Sequence, residues 1–247
     1  MPPVKELRYF YEHVHYPSET LRQRFNLNGD WHNLDYREQF KEFTTLLKHA
    51  RREAVWYMRF LFGKRSDDWY LSLFTTRKIS GDISPQYLSL PVESITKIKE
   101  LLPNVKILIV LRNPVDWSWS FAKMSLIRNR RWDEVPEIEL LRFFTEYQEY
   151  YPTVSMIDRW QVIFSKKQLF IGFYDKLCDD PQGFYDDICD FIEIDRDVPV
   201  LERVNPGTGT PMPVNVRSFL QSLWREEIAC LANTYAPYPQ QWLINAN

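Results

Sequence analysis

Cysteine is scarce in this sequence, and no apolar run is long enough to cross a membrane. Cys178, Cys189 and Cys230 are odd in number and lack metal-ligand spacing, which is typical of reduced core residues in an intracellular protein; a single disulfide remains the alternative. The longest apolar run is far shorter than the ~20 residues of a spanning helix. A net charge of −2 gives no basic footprint for nucleic acid. Since no signal peptide opens the sequence, we expect a cytoplasmic protein.

Hydrophobic patterning predicts an α/β fold with a largely parallel sheet. The run Ile107–Leu111 is typical of a strand buried on both faces, and residues 169–174 form a second buried strand by the same criterion. Weaker strand character occurs at residues 4–10 and 78–82. Helical periodicity alternates with these strands, at residues 36–52, 53–62, 69–74, 92–102, 137–150 and 214–235 and after Pro114 and Pro181.

Arg112 directly follows the first buried strand and precedes a helix. Asn113 and Pro114 stop the strand, and Pro114 suits the first turn of the next helix. In open α/β sheets ligands bind at the carboxyl ends of the strands, where a guanidinium and exposed helix N–H groups suit a phosphate. The alternative is an arginine that caps the sheet and pairs with a carboxylate.

An ordered series of sequence motifs resembles the sulfotransferase domain family. The resemblance is greatest to its carbohydrate-type branch, which includes the heparan sulfotransferases and bacterial relatives. No single motif is decisive, but their order is specific. The motifs are Lys-Glu-Leu-Arg-Tyr-Phe at residues 5–10, Trp-Tyr-x3-Phe at 69–74, Gly-Asp-Ile-Ser-Pro-Gln-Tyr at 81–87, Leu-Arg-Asn-Pro-Val-Asp at 111–116, Trp-x3-Phe at 160–164 and Tyr-Asp-Lys-Leu-x2-Asp-Pro at 174–181.

The resemblance implies both a fold and an activity. The fold would be that of P-loop-kinase-like sulfotransferases, a parallel sheet flanked by helices within one domain over residues 1–247. The activity would be transfer of a sulfuryl group from 3′-phosphoadenosine 5′-phosphosulfate (PAPS) to a hydroxyl of a carbohydrate or small-molecule acceptor. Neither a metal nor a nucleic acid takes part in such a reaction.

The resemblance also assigns roles to particular residues. Glu6 stands where the family has its general base, and Lys5 would place positive charge near the sulfate. Arg112 and Ser120, eight residues apart, would bind the 3′-phosphate of the donor. A loop that would close over the cofactor consists of Gly207, Thr208, Gly209 and Thr210.

Each of these residues also has an ordinary structural interpretation. Glu6 and Lys5 would then be solvated surface residues. Arg112 would form a structural salt bridge, and Ser120 would bond the backbone of its own helix. The Gly/Thr loop lacks the basic residue that many family members carry there, so an ordinary flexible connection is the alternative.

The sequence departs from the family in two respects. No Lys-x-Gly-Thr-Thr loop, which cradles the 5′-phosphosulfate, occurs in the 247 residues. We therefore expect a domain that lacks its first strand, either as a fragment of a longer parent, which would be lumenal if it carried a membrane anchor, or as a natural variant. Arg8, Tyr11 and Ile83 replace a histidine, an aspartate and a lysine of the heparan-type enzymes, which argues against a glycosaminoglycan acceptor.

Two further hypotheses stay open at this point. His13 and His15 alternate as metal ligands could, but no third ligand accompanies them, and an incidental pair is favoured. The missing phosphosulfate loop also allows a non-catalytic sulfotransferase-like module that binds a nucleotide or a protein partner. The sequence fixes neither the acceptor nor the oligomeric state.

Overall fold

The architecture comes from a computed structural model of the chain. Its contacts divide the chain into two compact units, Met1–Pro103 and Asn104–Asn247. A single domain over residues 1–247 stays a prediction. None of the helices in the described part of the chain is long and apolar enough to cross a membrane. The structure describes residues 2–11, 18–27, 29, 31–49, 53–74, 79–128, 135–148, 151, 153–197 and 211–244.

The N-terminal unit is helical throughout its described regular structure. Its core is rich in aromatic side chains, and α4 illustrates why. The Ser66 hydroxyl accepts a hydrogen bond from the Trp69 amide and caps this short helix, which carries Trp69 and Tyr70 into the core at 5% and 4% exposure. The helices are α1 (Leu21–Arg24), α2 (Trp31–Lys48), α3 (Glu53–Phe62), α4 (Asp67–Ser72) and α5 (Val92–Leu101), with a 3-10 turn at Pro85–Ser89.

The strand character predicted at residues 4–10 is wrong. Residues 4–8 are irregular and residues 9–11 are helical. Leu7, Tyr9 and Phe10 are all buried, whereas a half-buried strand would alternate. The amides of Leu7 and Arg8 donate to side-chain oxygens of Asp82 and Ser84 instead of a neighbouring strand. The strand predicted at 78–82 is also wrong for its described residues 79–82, which are irregular.

The C-terminal unit combines a small parallel sheet with eight helices among its described residues. The mixed α/β class is therefore confirmed, although the chain is mostly helical. As predicted, Asp180 caps α10 and Pro181 is its first residue. The elements are β1 (Ile107–Leu111), α6 (Pro114–Arg128), α7 (Glu137–Glu146), α8 (Val154–Ile163), β2 (Leu169–Phe173), α9 (Tyr174–Asp179), α10 (Pro181–Ile192), α11 (Val214–Leu223), α12 (Arg225–Thr234) and α13 (Tyr238–Ile244).

The two predicted strands pair in parallel, with Ile107 opposite Leu169 and Leu111 opposite Phe173. The prediction that β1 is buried on both faces is wrong. Ile109 and Leu111 are buried, but Leu108 and Val110 on the other face are 40% and 45% exposed. On that face, the α10 phenylalanines pack against Phe170 of β2, and they leave β1 only partly covered.

The long helix predicted over residues 214–235 is divided into α11 and α12 at Trp224. Its backbone (φ −100°, ψ 5°) ends one helix and begins the next. The Trp224 indole is 2% exposed and donates a 2.9 Å hydrogen bond to the Ser118 hydroxyl on α6. Sequence periodicity does not report this tertiary bond, so the break could not be predicted.

Gly172 in β2 is expected to be intolerant of a side chain. A Cβ atom at this position would lie 2.7 Å from Cε2 of Phe184 and 2.8 Å from Cε1 of Phe170. We expect Gly172→Ala to lower the free energy of unfolding by about 1–3 kcal/mol through overpacking, measured by urea denaturation. The matched control is Gly81→Ala, where the added Cβ meets nothing within 4 Å. Equal stability of the two variants would contradict the prediction.

Candidate functional site

Arg112 lies at the carboxyl end of the parallel strand pair, beside an aromatic ring. Because Leu111 pairs with Phe173, the residues that follow the two strands, Arg112 and Tyr174, are neighbours. The guanidinium carbon of Arg112 lies 4.9 Å from the centroid of the Tyr174 ring. Such a cation–π contact orients the guanidinium. No described carboxylate forms an ion pair with Arg112, so the sheet-capping alternative finds no partner in this part of the chain.

The backbone of Arg112 is held by a buried tyrosine. The Tyr151 hydroxyl donates a 3.0 Å hydrogen bond to the Arg112 carbonyl. Burial raises the pKa of Tyr151 well above its ordinary value, which keeps the hydroxyl protonated as a donor. The Tyr151 ring lies 4.5 Å, centroid to centroid, from the Trp224 ring. The Ser118–Trp224 hydrogen bond therefore supports Tyr151, and Tyr151 supports the strand end.

Helix α6 begins at Pro114, two residues after Arg112. The Asn113 side chain accepts a 2.9 Å hydrogen bond from the Val115 amide, and Pro114 has no amide hydrogen to satisfy. The positive end of the α6 dipole therefore follows Arg112 closely along the chain, which favours an anion near this strand end.

Ser120 lies two helical turns along α6 and is half-buried. Some helical hydroxyls of this unit bond their own backbone, as Ser218 does to the Val214 carbonyl at 3.0 Å. Ser120 makes no such bond to a described residue. The structural alternative for Ser120 therefore lacks support within the described residues, and its hydroxyl remains a candidate hydrogen-bond donor to a phosphate.

Glu6 lies in the N-terminal unit and takes part in a network of polar side chains. Its Oε2 atom accepts hydrogen bonds from Arg8 Nε at 3.0 Å and from Gln86 Nε2 at 3.1 Å. Arg8 also bridges to Asp35 Oδ2 at 2.7 Å. The Glu6 side chain is only 24% exposed, which differs from the solvated glutamate of the alternative hypothesis. Oε1 of Glu6 has no hydrogen-bond partner among the described residues.

Lys5 is the weaker of the two catalytic candidates. It is exposed, and its side chain makes no hydrogen bond to a described residue. Only its backbone carbonyl is engaged, by the Ile83 amide at 3.4 Å. Lys5 and Glu6 lie together in the N-terminal unit, and Arg112 and Ser120 lie together in the C-terminal unit.

Asp82 is a half-buried acceptor for four donors, one of which is the amide of Leu7, next to Glu6. Its Oδ1 accepts from the Leu7 amide at 3.2 Å and the Ser84 hydroxyl at 2.8 Å. Its Oδ2 accepts from the hydroxyls of Tyr87 at 2.7 Å and Tyr70 at 3.4 Å. Burial raises the pKa of Asp82, and these four hydrogen bonds oppose that rise. Burial likewise raises the pKa of Tyr70 and of Tyr87, so both phenols remain donors.

The raised pKa of Asp82 predicts a pH-dependent contribution to stability. The folded state binds the Asp82 proton more tightly than the unfolded state does, so this contribution is complete below about pH 4 and is lost as pH rises through the folded pKa. The free energy of unfolding of the wild type, relative to Asp82→Asn, should therefore fall as pH rises from about 4. Urea unfolding of both proteins across this range tests the sign. A difference that rises with pH would contradict the raised pKa.

Several predicted positions lie outside the described residues. They include the loop of Gly207, Thr208, Gly209 and Thr210 and the pair His13 and His15. Within the described ranges, no group of three or more histidine, cysteine, aspartate or glutamate side chains could hold a metal ion.

Sequence analysis missed the residues that support the candidate side chains. Tyr174 was foreseeable, because it follows the second strand as Arg112 follows the first. Tyr151, Trp224 and Asp35 reach their partners only through tertiary folding and carry no local signal. Gln86 lies within the motif at residues 81–87, but nothing in the motif indicates its hydrogen bond to Glu6.

Comparisons with known proteins agree with this architecture. A crystal structure of a sulfotransferase from Alicyclobacillus acidocaldarius is similar, with a TM-score of 0.61 over 94% of this chain and 83% of that one, at 21% sequence identity. This likeness confirms the predicted sulfotransferase fold. No curated protein sequence matches the chain. The profile of the Sulfotransferase family matches residues 7–198. With most of its length matched in this way, the chain belongs to the Sulfotransferase family.

Proposed function

We propose that the protein transfers a sulfuryl group from PAPS to a hydroxyl of a carbohydrate or small-molecule acceptor. Family membership suggests a sulfotransferase role in general. The observation that carries the proposal for the donor is the placement of Arg112. This cation has no described carboxylate partner and lies at the carboxyl end of a parallel strand pair, next to the α6 N-terminus.

On the donor side, the C-terminal unit offers groups that suit a phosphate monoester. The planar Arg112 guanidinium can donate two parallel hydrogen bonds to phosphate oxygens. The Ser120 hydroxyl and the backbone N–H groups at the α6 N-terminus would add further hydrogen-bond donors to the phosphate. Together they would hold the 3′-phosphate of PAPS and leave its 5′-phosphosulfate for reaction.

On the acceptor side, Glu6 is the proposed general base. Its Oε1 would take the proton of the acceptor hydroxyl while the acceptor oxygen forms a bond to sulfur. The bond between sulfur and the bridging oxygen of the 5′-phosphate breaks in the same step, and 3′,5′-adenosine bisphosphate leaves. In such a loose in-line transfer, catalysis depends on positioning and charge neutralisation.

Binding and transfer assays test the proposal separately. Calorimetry should detect micromolar binding of 3′,5′-adenosine bisphosphate and much weaker binding of adenosine 5′-monophosphate, which lacks the 3′-phosphate. Labelled PAPS should then pass its sulfate to at least one member of a panel of phenols, alcohols and simple sugars. Equal affinity for the two nucleotides would refute the 3′-phosphate site.

The second candidate function is a non-catalytic module that binds a nucleotide or a protein partner. The absence of a Lys-x-Gly-Thr-Thr sequence from the 247 residues favours it. Micromolar binding of 3′,5′-adenosine bisphosphate without transfer to any acceptor in the panel would support this module. Transfer by the same preparation would exclude it.

A further inference from the structure

Two consecutive backbone amides next to Glu6 are held by side chains from a distant part of the sequence. The Leu7 amide donates to Asp82 Oδ1 at 3.2 Å, and the Arg8 amide donates to Ser84 Oγ at 3.2 Å. Ser84 also donates to Asp82 Oδ1, so the two acceptors are coupled. The backbone beside the proposed base is therefore fixed by these two side chains rather than by helix or strand hydrogen bonds.

The backbone at Arg8 adopts a conformation that needs such support. Its φ is 52°, in the left-handed region that non-glycine residues seldom occupy. Such a conformation persists only where the surroundings impose it, and it is common at functional sites. Here three contacts of Arg8 impose it: the hydrogen bond from its backbone amide to Ser84 and the ion pairs of its side chain with Glu6 and Asp35.

Asp82 is itself held by the aromatic core. Tyr70 and Tyr87 donate hydrogen bonds to Asp82, and their rings pack against other aromatic side chains. Tyr70 stacks on Tyr9 at 5.0 Å, and Tyr87 meets Phe10 edge-on at 5.7 Å, both measured between ring centroids. The carboxylate that holds the Leu7 amide is thus attached to a rigid part of the N-terminal unit.

We propose that Asp82 and Ser84 are positioning residues for the general base. They fix the backbone of Leu7 and Arg8 so that Arg8 and Gln86 engage Oε2 of Glu6 and Oε1 is left to take the acceptor proton. This inference rests on the proposed function, because it gives Glu6 the role of base. A displacement of about 1 Å at a reacting group can cost 10²-fold in rate, and loosening these two amides would allow one.

Kinetics of three variants test the proposal. Asp82→Ala and Ser84→Ala each remove one amide acceptor, and we expect kcat to fall about 10- to 100-fold with the KM for PAPS unchanged. Asp82→Asn keeps an oxygen at the Oδ1 position for the Leu7 amide and should restore most of kcat. The matched control is Ser72→Ala, because the Ser72 hydroxyl bonds only the Trp69 carbonyl in α4 within the described part of the chain. Its kcat should match the wild type.

Hydrogen exchange gives a second readout that needs no acceptor. The Leu7 amide should exchange faster in Asp82→Ala and the Arg8 amide faster in Ser84→Ala, with neither changed in Ser72→Ala. Calorimetry with 3′,5′-adenosine bisphosphate should give the same Kd for all variants, which separates this role from general unfolding. If Asp82→Ala fails to fold, the measurements on Ser84→Ala alone test the proposal.

The outcomes separate the two proposals. Faster exchange with unchanged kcat overturns the positioning role and leaves the proposed function standing. Unchanged exchange overturns the anchoring itself. Absence of transfer by the wild type overturns the proposed function, and with it the catalytic part of this inference, whatever the exchange data give.

Discussion

Glu6→Gln is expected to lower kcat for sulfuryl transfer about 10²–10⁴-fold, the range of a lost general base. Glutamine has the size of glutamate and retains an oxygen that can accept from Arg8 and Gln86, so the local structure should persist. It cannot take the acceptor proton at neutral pH. Transfer from labelled PAPS, measured at saturating donor, gives kcat directly.

The control for this substitution is Glu93→Gln, an exposed glutamate on α5. Its kcat should equal that of the wild type, and both variants should bind 3′,5′-adenosine bisphosphate as the wild type does. Wild-type turnover by Glu6→Gln would remove Glu6 from the reaction. Weakened nucleotide binding in Glu6→Gln would point to a structural defect instead of lost proton transfer.

Arg112→Ala should weaken the binding of 3′,5′-adenosine bisphosphate about 10- to 100-fold. The loss corresponds to the roughly 1.5–3 kcal/mol of hydrogen bonds to a charged group. Adenosine 5′-monophosphate has no 3′-phosphate to lose, so its Kd should barely change. Arg112→Lys should lie between the wild type and Arg112→Ala, because lysine keeps the charge but not the planar pair of donors.

Arg142→Ala is the matched control in the same unit. Arg142 is 79% exposed and, among the described residues, pairs only with Glu146 one turn along α7, so its removal should leave nucleotide affinity unchanged. Calorimetry at constant salt makes the comparison, since phosphate binding depends on ionic strength. If both nucleotides weaken equally with Arg112→Ala, the arginine does not contact the 3′-phosphate.

Sequence patterns predicted the parts of this chain whose structure is decided locally. The five apolar residues of β1 and the Asn-Pro pair that ends it located Arg112 at a strand end, and the Asp180–Pro181 start of α10 followed from its capping residues. These signals are local because burial, proline geometry and capping act within a few residues.

The surroundings of the candidate base could not be predicted from local patterns. Residues 4–10 have strand character in the sequence, although three of the seven are charged. Tertiary hydrogen bonds to Asp82 and Ser84 instead hold Leu7 and Arg8 in an irregular path. A pairing of residues about 75 positions apart leaves no periodicity in the sequence. The partial exposure of Leu108 and Val110 was unpredictable for a related reason, since it depends on where α10 lies over the sheet.

The residues that support the end of β1 extend beyond the region matched by the family profile. The family match ends at residue 198, whereas the indole that braces Tyr151 belongs to Trp224. A survey of natural variation confined to the matched region would classify a change at Trp224 as peripheral. Through Tyr151, Trp224 supports the backbone of Arg112. Natural differences in these last helices should therefore be compared together with differences in the family motifs.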